Sequence, residues 1–267
     1  MLGRMVTLDG KPAGADDLLP LALTNFAHFT SMRVGADGSI RGLSLHLERL
    51  VRDCRTVYGV ALDADRVRVQ VRAALHGRPG PCVVRVTIYD PAVDMGHPVD
   101  AKDPQPLITV RPVGQLPPPP LRVQSVRYER DLPQVKHCGL FGALHARRAA
   151  QLAGADDALF TGCDGLVSEG GTWNVGFIDG NGTVVWPDAP VLPGVTMALL
   201  KQHAVGVSHR TAAVTLGQAK SMAAAFATNT SIGVRALSAL DNESLSTDHP
   251  VLTALRDSYL SVPGESL

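Results

Sequence analysis

The amino-acid sequence predicts a mixed α/β protein made of two domains. The chain has 267 residues, which is long for one hydrophobic core and leaves room for two modest domains. Some segments repeat apolar residues at helical spacing and others are short β-branched runs, so helices and strands are both expected. Four consecutive prolines in GQLPPPPLRV favour a stiff connector. We expect a smaller N-terminal domain at residues 1–114, a linker at 115–123 and a larger domain at 124–267.

The clearest elements of the first half are one helix and one buried strand. LSLHLERLVRDCRTVYG repeats apolar residues at helical spacing, and Gly59 stands where that helix would end. PCVVRVTIYD is rich in β-branched residues, as buried strands are, and contains one charge, Arg85. A charge in such a run needs a partner or a ligand. Arg85 is therefore either paired with a carboxylate inside the protein or available to a ligand.

The second half alternates helices with hairpins. CGLFGALHARRAAQLAGA predicts a helix that Gly154 stops. The next two segments predict hairpins that turn at Asp164-Gly165 and at residues 179–182. The Pro-Gly turn of VLPGVT leads into a helix that begins at Val195 and Thr196. Free N–H groups at such a helix start can bind an anion.

Two features near the end of the chain complete the outline. FATNTSIGVRAL places a polar turn between two apolar runs, which makes that turn a second candidate for a phosphate contact. In TDHPVLTALRDSYL, Asp248 is expected to cap a last helix with Pro250 in its first turn.

Charge and composition argue against several classes of function. The 25 Lys+Arg balance the 25 Asp+Glu, so the chain lacks the basic surplus of a nucleic-acid-binding protein. No apolar segment has the length of a signal peptide or of a membrane span. We expect a soluble, cytoplasmic protein that binds neither nucleic acid nor membranes. The nine histidines show no metal-binding spacing, so no metal site is predicted, and the four cysteines are expected to be small buried residues.

The order of several short motifs resembles the class IV aminotransferases. A lysine follows a Leu-Pro turn, and then come a helix, DGLVSEGGTWN, LPGVT at a helix start and a threonine-rich turn. FTSMRV and HLERL match in the first half. These fold-type-IV pyridoxal phosphate enzymes include branched-chain and D-amino acid transaminases and aminodeoxychorismate lyase. The resemblance implies the two-domain fold-type-IV fold, pyridoxal 5'-phosphate in the cleft between the domains, and a homodimer.

The resemblance also implies roles for individual residues. Lys136 matches the lysine that carries the cofactor as a Schiff base and moves a proton at the substrate α-carbon. Glu169 matches the carboxylate that faces the pyridine nitrogen. The residues that match ligands of the cofactor phosphate are Arg49, Val195, Thr196 and Thr230.

Elementary chemistry agrees with these roles, although Lys136 and Glu169 taken singly would be ordinary exposed side chains. A nearby carboxylate keeps a pyridine nitrogen protonated, which the ring needs to withdraw electrons. A lysine attacks an aldehyde only when neutral, and a partly desolvated pocket near cations favours that form. An arginine fork and a helix N-terminus suit a phosphate dianion.

The chain departs from the family mainly around the expected substrate. A tyrosine, an aromatic residue, a threonine and a basic residue of the family are replaced here by Phe141, Gly176, Trp186 and Met197. Arg85 lines up with an arginine of the branched-chain enzymes and is a candidate for binding the substrate carboxylate. Arg33 and Phe141 are further candidates for substrate binding.

The predicted function is reversible transamination between an amino acid and a 2-oxo acid, which are then the small-molecule partners. Within the same family, an elimination of the aminodeoxychorismate lyase type, releasing pyruvate, is the alternative, and VKH at 135–137 resembles a short motif of that enzyme. A homologue that binds the cofactor without turnover is the third interpretation.

Overall fold

The computed structural model describes residues 6–77, 80–114 and 116–267. Residues 1–5 of the expected N-terminal domain and Gln115, the start of the expected linker, lie outside the described residues. The strands are β1 (Val6–Leu8), β2 (Lys11–Pro12), β3 (His28–Val34), β4 (Ile40–Arg41), β5 (Cys82–Tyr89), β6 (Gln105–Pro112), β7 (Leu121–Arg127), β8 (Asp157–Thr161), β9 (Val167–Gly170), β10 (Asn174–Ile178), β11 (Val184–Pro187), β12 (His209–Ala212), β13 (Ala224–Asn229), β14 (Gly233–Leu240), β15 (Glu243–Ser244) and β16 (Gly264–Glu265). The helices are α1 (Ala15–Thr24), α2 (Leu43–Tyr58), α3 (Ala64–Leu75), α4 (Phe141–Leu152), α5 (Val195–His203), α6 (Leu216–Lys220) and α7 (Pro250–Ser261).

The chain divides into two units. Unit 1 contains Met1–Val113, Val135–Gly139 and Pro263–Leu267, and unit 2 contains Gly114–Gln134 and Leu140–Val262. The proline-rich segment at 116–120 forms neither helix nor strand and is grouped with unit 2. The short segment that carries Lys136 is grouped with unit 1, although its neighbours on both sides belong to unit 2. The domain limits expected from the sequence stay a prediction.

Unit 1 is built on a seven-stranded sheet with the order β16-β4-β3-β5-β6-β1-β2. Its three longest strands, β3, β5 and β6, pair antiparallel over most of their length. Side chains alternate between the two faces of a strand, so Met32 and Val34 point to one face of β3. There they pack into a core with Leu47, Leu50 and other apolar residues of α2 and α3. The opposite face of β3 carries Phe29, Ser31 and Arg33.

Unit 2 is built on a nine-stranded sheet. Six of its strands pair in the order β10-β13-β14-β7-β8-β9, and β9 pairs in turn with β10 through Glu169 and Asn174. This last pairing closes the six strands into a ring, whose core contains Val123, Leu159 and Ala227 among other apolar side chains. Glu169 therefore stands where the ring closes. Helix α5 packs against β13 and α7.

Most elements predicted from local patterns are confirmed. Helix α2 ends at Gly59, whose φ of 71° is the left-handed conformation that glycine adopts most easily. Both predicted hairpins form, as β8–β9 and β10–β11. Helix α5 begins at Val195, as expected. The expected cap of the last helix is wrong, because His249 occupies the N-cap and its ring accepts a hydrogen bond from Val251 N, whereas Asp248 accepts one from Ser246.

The four thiols are all free, but only Cys54 is buried, and Cys163 is exposed. The expectation of small buried cysteines is therefore wrong for Cys163, which lies beside the turn of the first hairpin. Among the described residues, no helix combines the length and the apolar character needed to cross a membrane.

Candidate active site

The predicted site residues fall into two sets, one in each unit. The first set lies in unit 1 and consists of Arg33, Arg49, Arg85 and Lys136. The second set lies in unit 2 and consists of Phe141, Glu169, Val195, Thr196 and Thr230.

Lys136 lies on a main chain that is fixed from two sides. Its carbonyl accepts a hydrogen bond from Phe29 N at 2.8 Å, and Cys138 N donates to Ala27 O at 2.8 Å, which attaches the segment to the start of β3. Lys136 N donates to Asp53 Oδ2 of α2 at 3.0 Å. The side chain is partly buried, and Nζ lies 4.9 Å from the centroid of the Phe29 ring. Lys136 is therefore not the ordinary solvated lysine that its sequence context alone would suggest.

Arg49 is a buried cation with an unused hydrogen-bond donor. It lies on the inner face of α2 and is 5% exposed. Its Nη2 donates to Thr30 Oγ1, whereas Nε is buried without a hydrogen-bond partner. Burial lowers the pKa of Arg49 to about 10. A buried guanidinium is stabilised by an anion, so this position is suited to a phosphate.

Two buried histidines lie near Arg49. His46 Nδ1 is 2.7 Å from Thr30 Oγ1, and burial, followed by the charges of Arg49 and Lys136, holds the pKa of His46 well below its usual value. Because the imidazole is neutral, Nδ1 can accept the Thr30 hydroxyl proton while the Thr30 oxygen accepts from Arg49. His28 is 0% exposed, and both of its ring nitrogens are buried without a hydrogen-bond partner. Burial, assisted by Arg49, lowers the pKa of His28 to about 3.

These two histidines predict an acid-sensitive fold. The pKa of an unfolded histidine is near 6.5, whereas burial lowers the pKa of His28 in the folded protein to about 3. Between these pH values the unfolded chain binds more protons, so the free energy of unfolding falls as the pH falls. We expect the loss to begin near pH 6.5 and to amount to about 1.4 kcal/mol per pH unit for each buried histidine. Urea unfolding at a series of pH values measures the slope.

Two separate substitutions, one of a buried and one of an exposed histidine, test whether His28 causes this pH dependence of stability. His28→Gln should reduce the slope below pH 6.5 by about one proton. His97→Gln, at an exposed position, should leave the slope unchanged. Equal slopes for the natural chain and His28→Gln would show that His28 does not remain neutral in the folded protein.

Glu169 is buried and fixed by three hydrogen bonds. It is 4% exposed, and its Oε1 accepts from Arg130 Nη1 at 3.0 Å. Its Oε2 accepts from Leu192 N at 3.2 Å and from Asn174 Nδ2 at 3.4 Å. The Arg130 side chain is itself only 9% exposed. Hydrogen bonds to a carboxylate and a paired cation both favour its ionised form, so Glu169 presents a fixed negative charge.

The start of helix α5 has the properties of an anion site. Its N-cap is Gly194, which offers no side chain to cap the first N–H groups. A Cβ at this position would lie 2.0 Å from Asn174 Oδ1, so only glycine fits there. Val195 and Thr196 are buried, and Thr196 Oγ1 has no hydrogen-bond partner. Unpaired N–H groups and a hydroxyl at a helix N-terminus are suited to a phosphate.

A second threonine, Thr228, lies close to the predicted phosphate ligand Thr230. Thr230 lies in the turn between β13 and β14 and is half-buried. Thr228, at the end of β13, is 1% exposed, and its Oγ1 is buried without a hydrogen-bond partner. It pairs directly with Asn174 on β10, so both side chains lie on the same face of the sheet. Thr228 is therefore a further candidate ligand. Strand alternation from the core residues Ala225 and Ala227 is the sequence signal that points to it.

Arg85 is stacked on an aromatic ring. Its guanidinium carbon lies 3.6 Å from the centroid of the Phe29 ring, Nε donates to Thr87 Oγ1 at 3.1 Å, and Nη2 lies 3.4 Å from Cys138 Sγ. Among the described residues, these contacts to Phe29, Thr87 and Cys138 are the ones Arg85 makes in place of a salt bridge to a carboxylate. Arg85 on β5 is paired with Ser31 on the neighbouring strand β3. This pairing places Arg85 on the same sheet face as Arg33.

Gly176 and Phe141 are two of the positions at which the chain departs from the family pattern. At Gly176 a Cβ would lie 2.4 Å from Phe226 Cζ, so the ring of Phe226 occupies the space beside the main chain at this position. Phe141 begins α4, is 83% exposed and stacks on His145 with ring centroids 6.0 Å apart. The expected role of Phe141 in substrate binding stays a prediction.

Solved structures share this fold over nearly the whole chain. A branched-chain aminotransferase from Thermoproteus uzoniensis, determined with norvaline, has a TM-score of 0.85 at 22% identity, covering 97% of this chain and 94% of its own. The branched-chain amino acid aminotransferase of Escherichia coli gives 0.81 at 16% identity, with coverages of 92% and 88%. A hypothetical aminotransferase from Mycobacterium tuberculosis gives 0.82 at 19% identity, with coverages of 97% and 98%. At these identities the likeness establishes the fold alone.

The family is established by sequence. No curated protein matches the chain closely enough to be informative. The model of the family described as amino-transferase class IV matches residues 27–240, which is well over half of the chain. That stretch contains Lys136, Glu169 and the residues expected to hold a phosphate. The chain therefore belongs to the class IV aminotransferases and is an enzyme of the transaminase class.

Proposed function

We propose that this aminotransferase uses pyridoxal 5'-phosphate and that residues of both sets bind the same cofactor molecule, with Lys136 forming the covalent bond. One observation carries the proposal: Arg49 and Thr196, both expected phosphate ligands, have buried polar atoms without partners. Buried polar groups are almost always hydrogen-bonded in proteins, so these atoms fit a phosphate. Of the structures with the same fold, a branched-chain amino acid aminotransferase was determined with pyridoxamine 5'-phosphate, and the Mycobacterium tuberculosis protein was determined in a PLP-bound form.

The phosphate ligands are Arg49, the first turn of α5 with Val195 and Thr196, and Thr230. Thr228 is added to them, because its hydroxyl is also buried without a partner. A guanidinium and a helix N-terminus both supply positive charge that a dianion requires. His46 and Thr30 hold the guanidinium in place, since Thr30 Oγ1 lies between His46 Nδ1 and Arg49 Nη2.

The reaction divides between the cofactor and three side chains. When bound, pyridoxal phosphate withdraws electrons from the α-carbon of an amino acid and makes its proton acidic. Glu169, held ionised by Arg130, provides the negative charge that keeps the ring nitrogen protonated. Lys136 would take the proton from the α-carbon of the amino acid and deliver it to the cofactor, a transfer that requires a base held within reach of both positions. The fixed main chain of Lys136 provides that position.

The substrates are an amino acid and a 2-oxo acid, and Arg85 is proposed to bind the substrate carboxylate. Its guanidinium is fixed against Phe29, the ring that also lies beside Lys136 Nζ. Arg33 lies on the same sheet face and is a second candidate. The cofactor cleft, the homodimer and the cytoplasmic location expected from the sequence belong to this proposal as well.

A visible absorption spectrum tests the function. With pyridoxal 5'-phosphate added, the protein should develop the band of a lysine-bound cofactor, and particular amino acids from an L and D panel should bleach it. Addition of a 2-oxo acid should then restore the band. The absence of any band would overturn the cofactor proposal.

Two other outcomes would replace transamination as the function. If the band forms and no amino acid bleaches it, release of pyruvate and an aromatic amine from aminodeoxychorismate would identify a lyase. If neither change occurs, the chain is a cofactor-binding homologue without turnover.

A further inference from the structure

Asp53 is a fully buried carboxylate with an unusual partner. It lies on α2 and is 0% exposed. Its Oδ1 accepts from Arg52 Nε and Nη2 at 3.1 and 2.8 Å. Its Oδ2 accepts from the main-chain N–H of Lys136 at 3.0 Å. The partners are 83 residues apart in the chain, so this bond is a tertiary contact and not a helix cap.

The bond completes the hydrogen bonding of the Lys136 main chain. The carbonyl of Lys136 and the N–H of Cys138 are bonded to Phe29 and Ala27, at the start of β3. The N–H of Lys136 instead donates to α2. Without Asp53 this N–H would lose its acceptor, and a buried N–H without a partner is destabilising. The carboxylate thus fixes the N–H of Lys136 to α2, while the carbonyl is fixed to β3.

The same helix holds the proposed phosphate arginine. Arg49 and Asp53 are four residues apart, which places both on one face of α2. Arg49 is oriented through Thr30 and His46, whereas Asp53 holds Lys136. Helix α2 therefore sets the positions of two cofactor-binding residues at once, through two different contacts.

We infer that Asp53 is a positioning residue for Lys136: its carboxylate fixes the lysine main chain so that Nζ is held where it reacts. This role adds a positioning residue to the proposed function. It rests on that function in one respect, namely that Lys136 is the lysine that binds the cofactor. The contact between Asp53 and Lys136 can be tested without any cofactor.

The first test uses the cofactor-free full chain. The sequence has only five lysines, so a protein labelled with 15N-lysine gives five amide signals, and a Lys136→Arg variant assigns the one from Lys136. In Asp53→Ala, hydrogen exchange at the Lys136 amide should become about 10- to 100-fold faster, the change expected when one buried charge-assisted hydrogen bond is lost. The control Arg52→Gln removes the other partner of Asp53 and should leave that amide protected.

The second test measures the rate at which pyridoxal phosphate becomes bound to Lys136 and the steady-state kinetics of the enzyme. Asp53→Ala should acquire the band of lysine-bound pyridoxal phosphate about 10- to 100-fold more slowly, and its kcat should fall while KM for the amino acid changes little. Arg52→Gln should behave like the natural chain in both respects. If Asp53→Ala does not fold, Asp53→Asn replaces it, and its neutral oxygen should give a smaller effect of the same direction in both tests.

The outcomes separate this inference from the proposed function. An unchanged Lys136 amide together with an unchanged rate of attachment in Asp53→Ala, or in Asp53→Asn, would overturn the inference. If the Lys136 amide is deprotected in Asp53→Ala and the natural chain never forms the band, the proposed function is overturned and the contact is still established. Faster amide exchange with slower attachment supports both.

Discussion

Lys136→Ala is expected to lower the rate of transamination by on the order of 10^2- to 10^4-fold, the contribution typical of a positioned acid–base group. The variant loses the nitrogen proposed to bind the cofactor and to move the α-proton. It retains Arg49, Glu169 and Thr196, so the cofactor should still bind without a covalent bond. Single-turnover kinetics with a bleaching amino acid measure the rate. Lys102→Ala, at an exposed lysine, is the matched control and should react like the natural chain.

The stability of Lys136→Ala should change little. The main-chain bonds to Phe29 and Asp53 do not involve the side chain and remain possible with alanine. A rate equal to that of the natural chain would show that another residue performs the proton transfer. Partial rescue by added alkylamines would support the assigned role, since an external base would then replace the missing one.

Glu169→Gln is expected to leave the covalent bond to Lys136 intact and to lower the rate by roughly 100-fold, the size typical of losing one preorganised electrostatic contact. The amide retains the shape of the side chain but provides no negative charge for the ring nitrogen. It also removes one partner of a buried ion pair, Glu169 with Arg130, which should lower the stability by about 3–5 kcal/mol. Single-turnover kinetics and urea unfolding measure the two effects separately.

A double variant distinguishes the electrostatic effect on the reaction from the loss of stability. Replacing both partners, as in Glu169→Gln with Arg130→Gln, should restore much of the stability because the ion pair is then replaced by two neutral side chains. The rate should stay low, since the carboxylate is still absent. If the rate recovered together with the stability, Glu169 would act only as a structural partner of Arg130. Glu243→Gln, at an exposed position, is the control for both measurements.

Local patterns were sufficient to predict the elements that carry the site. The apolar spacing that ends at Gly59 predicts α2, and the Pro-Gly turn before Val195 predicts the start of α5. These features depend on a few neighbouring residues, so a short stretch of sequence determines them. The N-cap of the last helix illustrates the limit, because Asp248 and His249 are both able to cap and the choice depends on local geometry.

Contacts between distant segments could not be predicted in this way. The pairing of Arg130 with Glu169 spans 39 residues and that of Asp53 with Lys136 spans 83. Neither has a periodicity or spacing that would reveal it, since each depends on how strands and helices pack. Thr228 is an intermediate case, because alternation along β13 indicates its face once the strand is known. The resemblance supplied Arg49 and Glu169, whereas the structure supplied the residues that hold them.

The presence of glycine at position 176 is also explained only by packing. The resemblance to the family implies that glycine replaces an aromatic side chain at this position. The structure shows the ring of Phe226 in the space beside Gly176. The two positions are paired on neighbouring strands, β10 and β13. Gly176→Ala should therefore be poorly tolerated, because the added methyl group would clash with that ring.

The central claim is that Lys136 is the residue that binds the cofactor, and chemical trapping tests it most directly. The protein is incubated with pyridoxal 5'-phosphate, reduced with borohydride, digested and mapped by mass spectrometry. The proposed function predicts the reduced adduct on the peptide that contains Lys136 and on none of the other four lysines of the chain. An adduct located on another lysine, or its persistence at full yield in Lys136→Ala, would contradict the account.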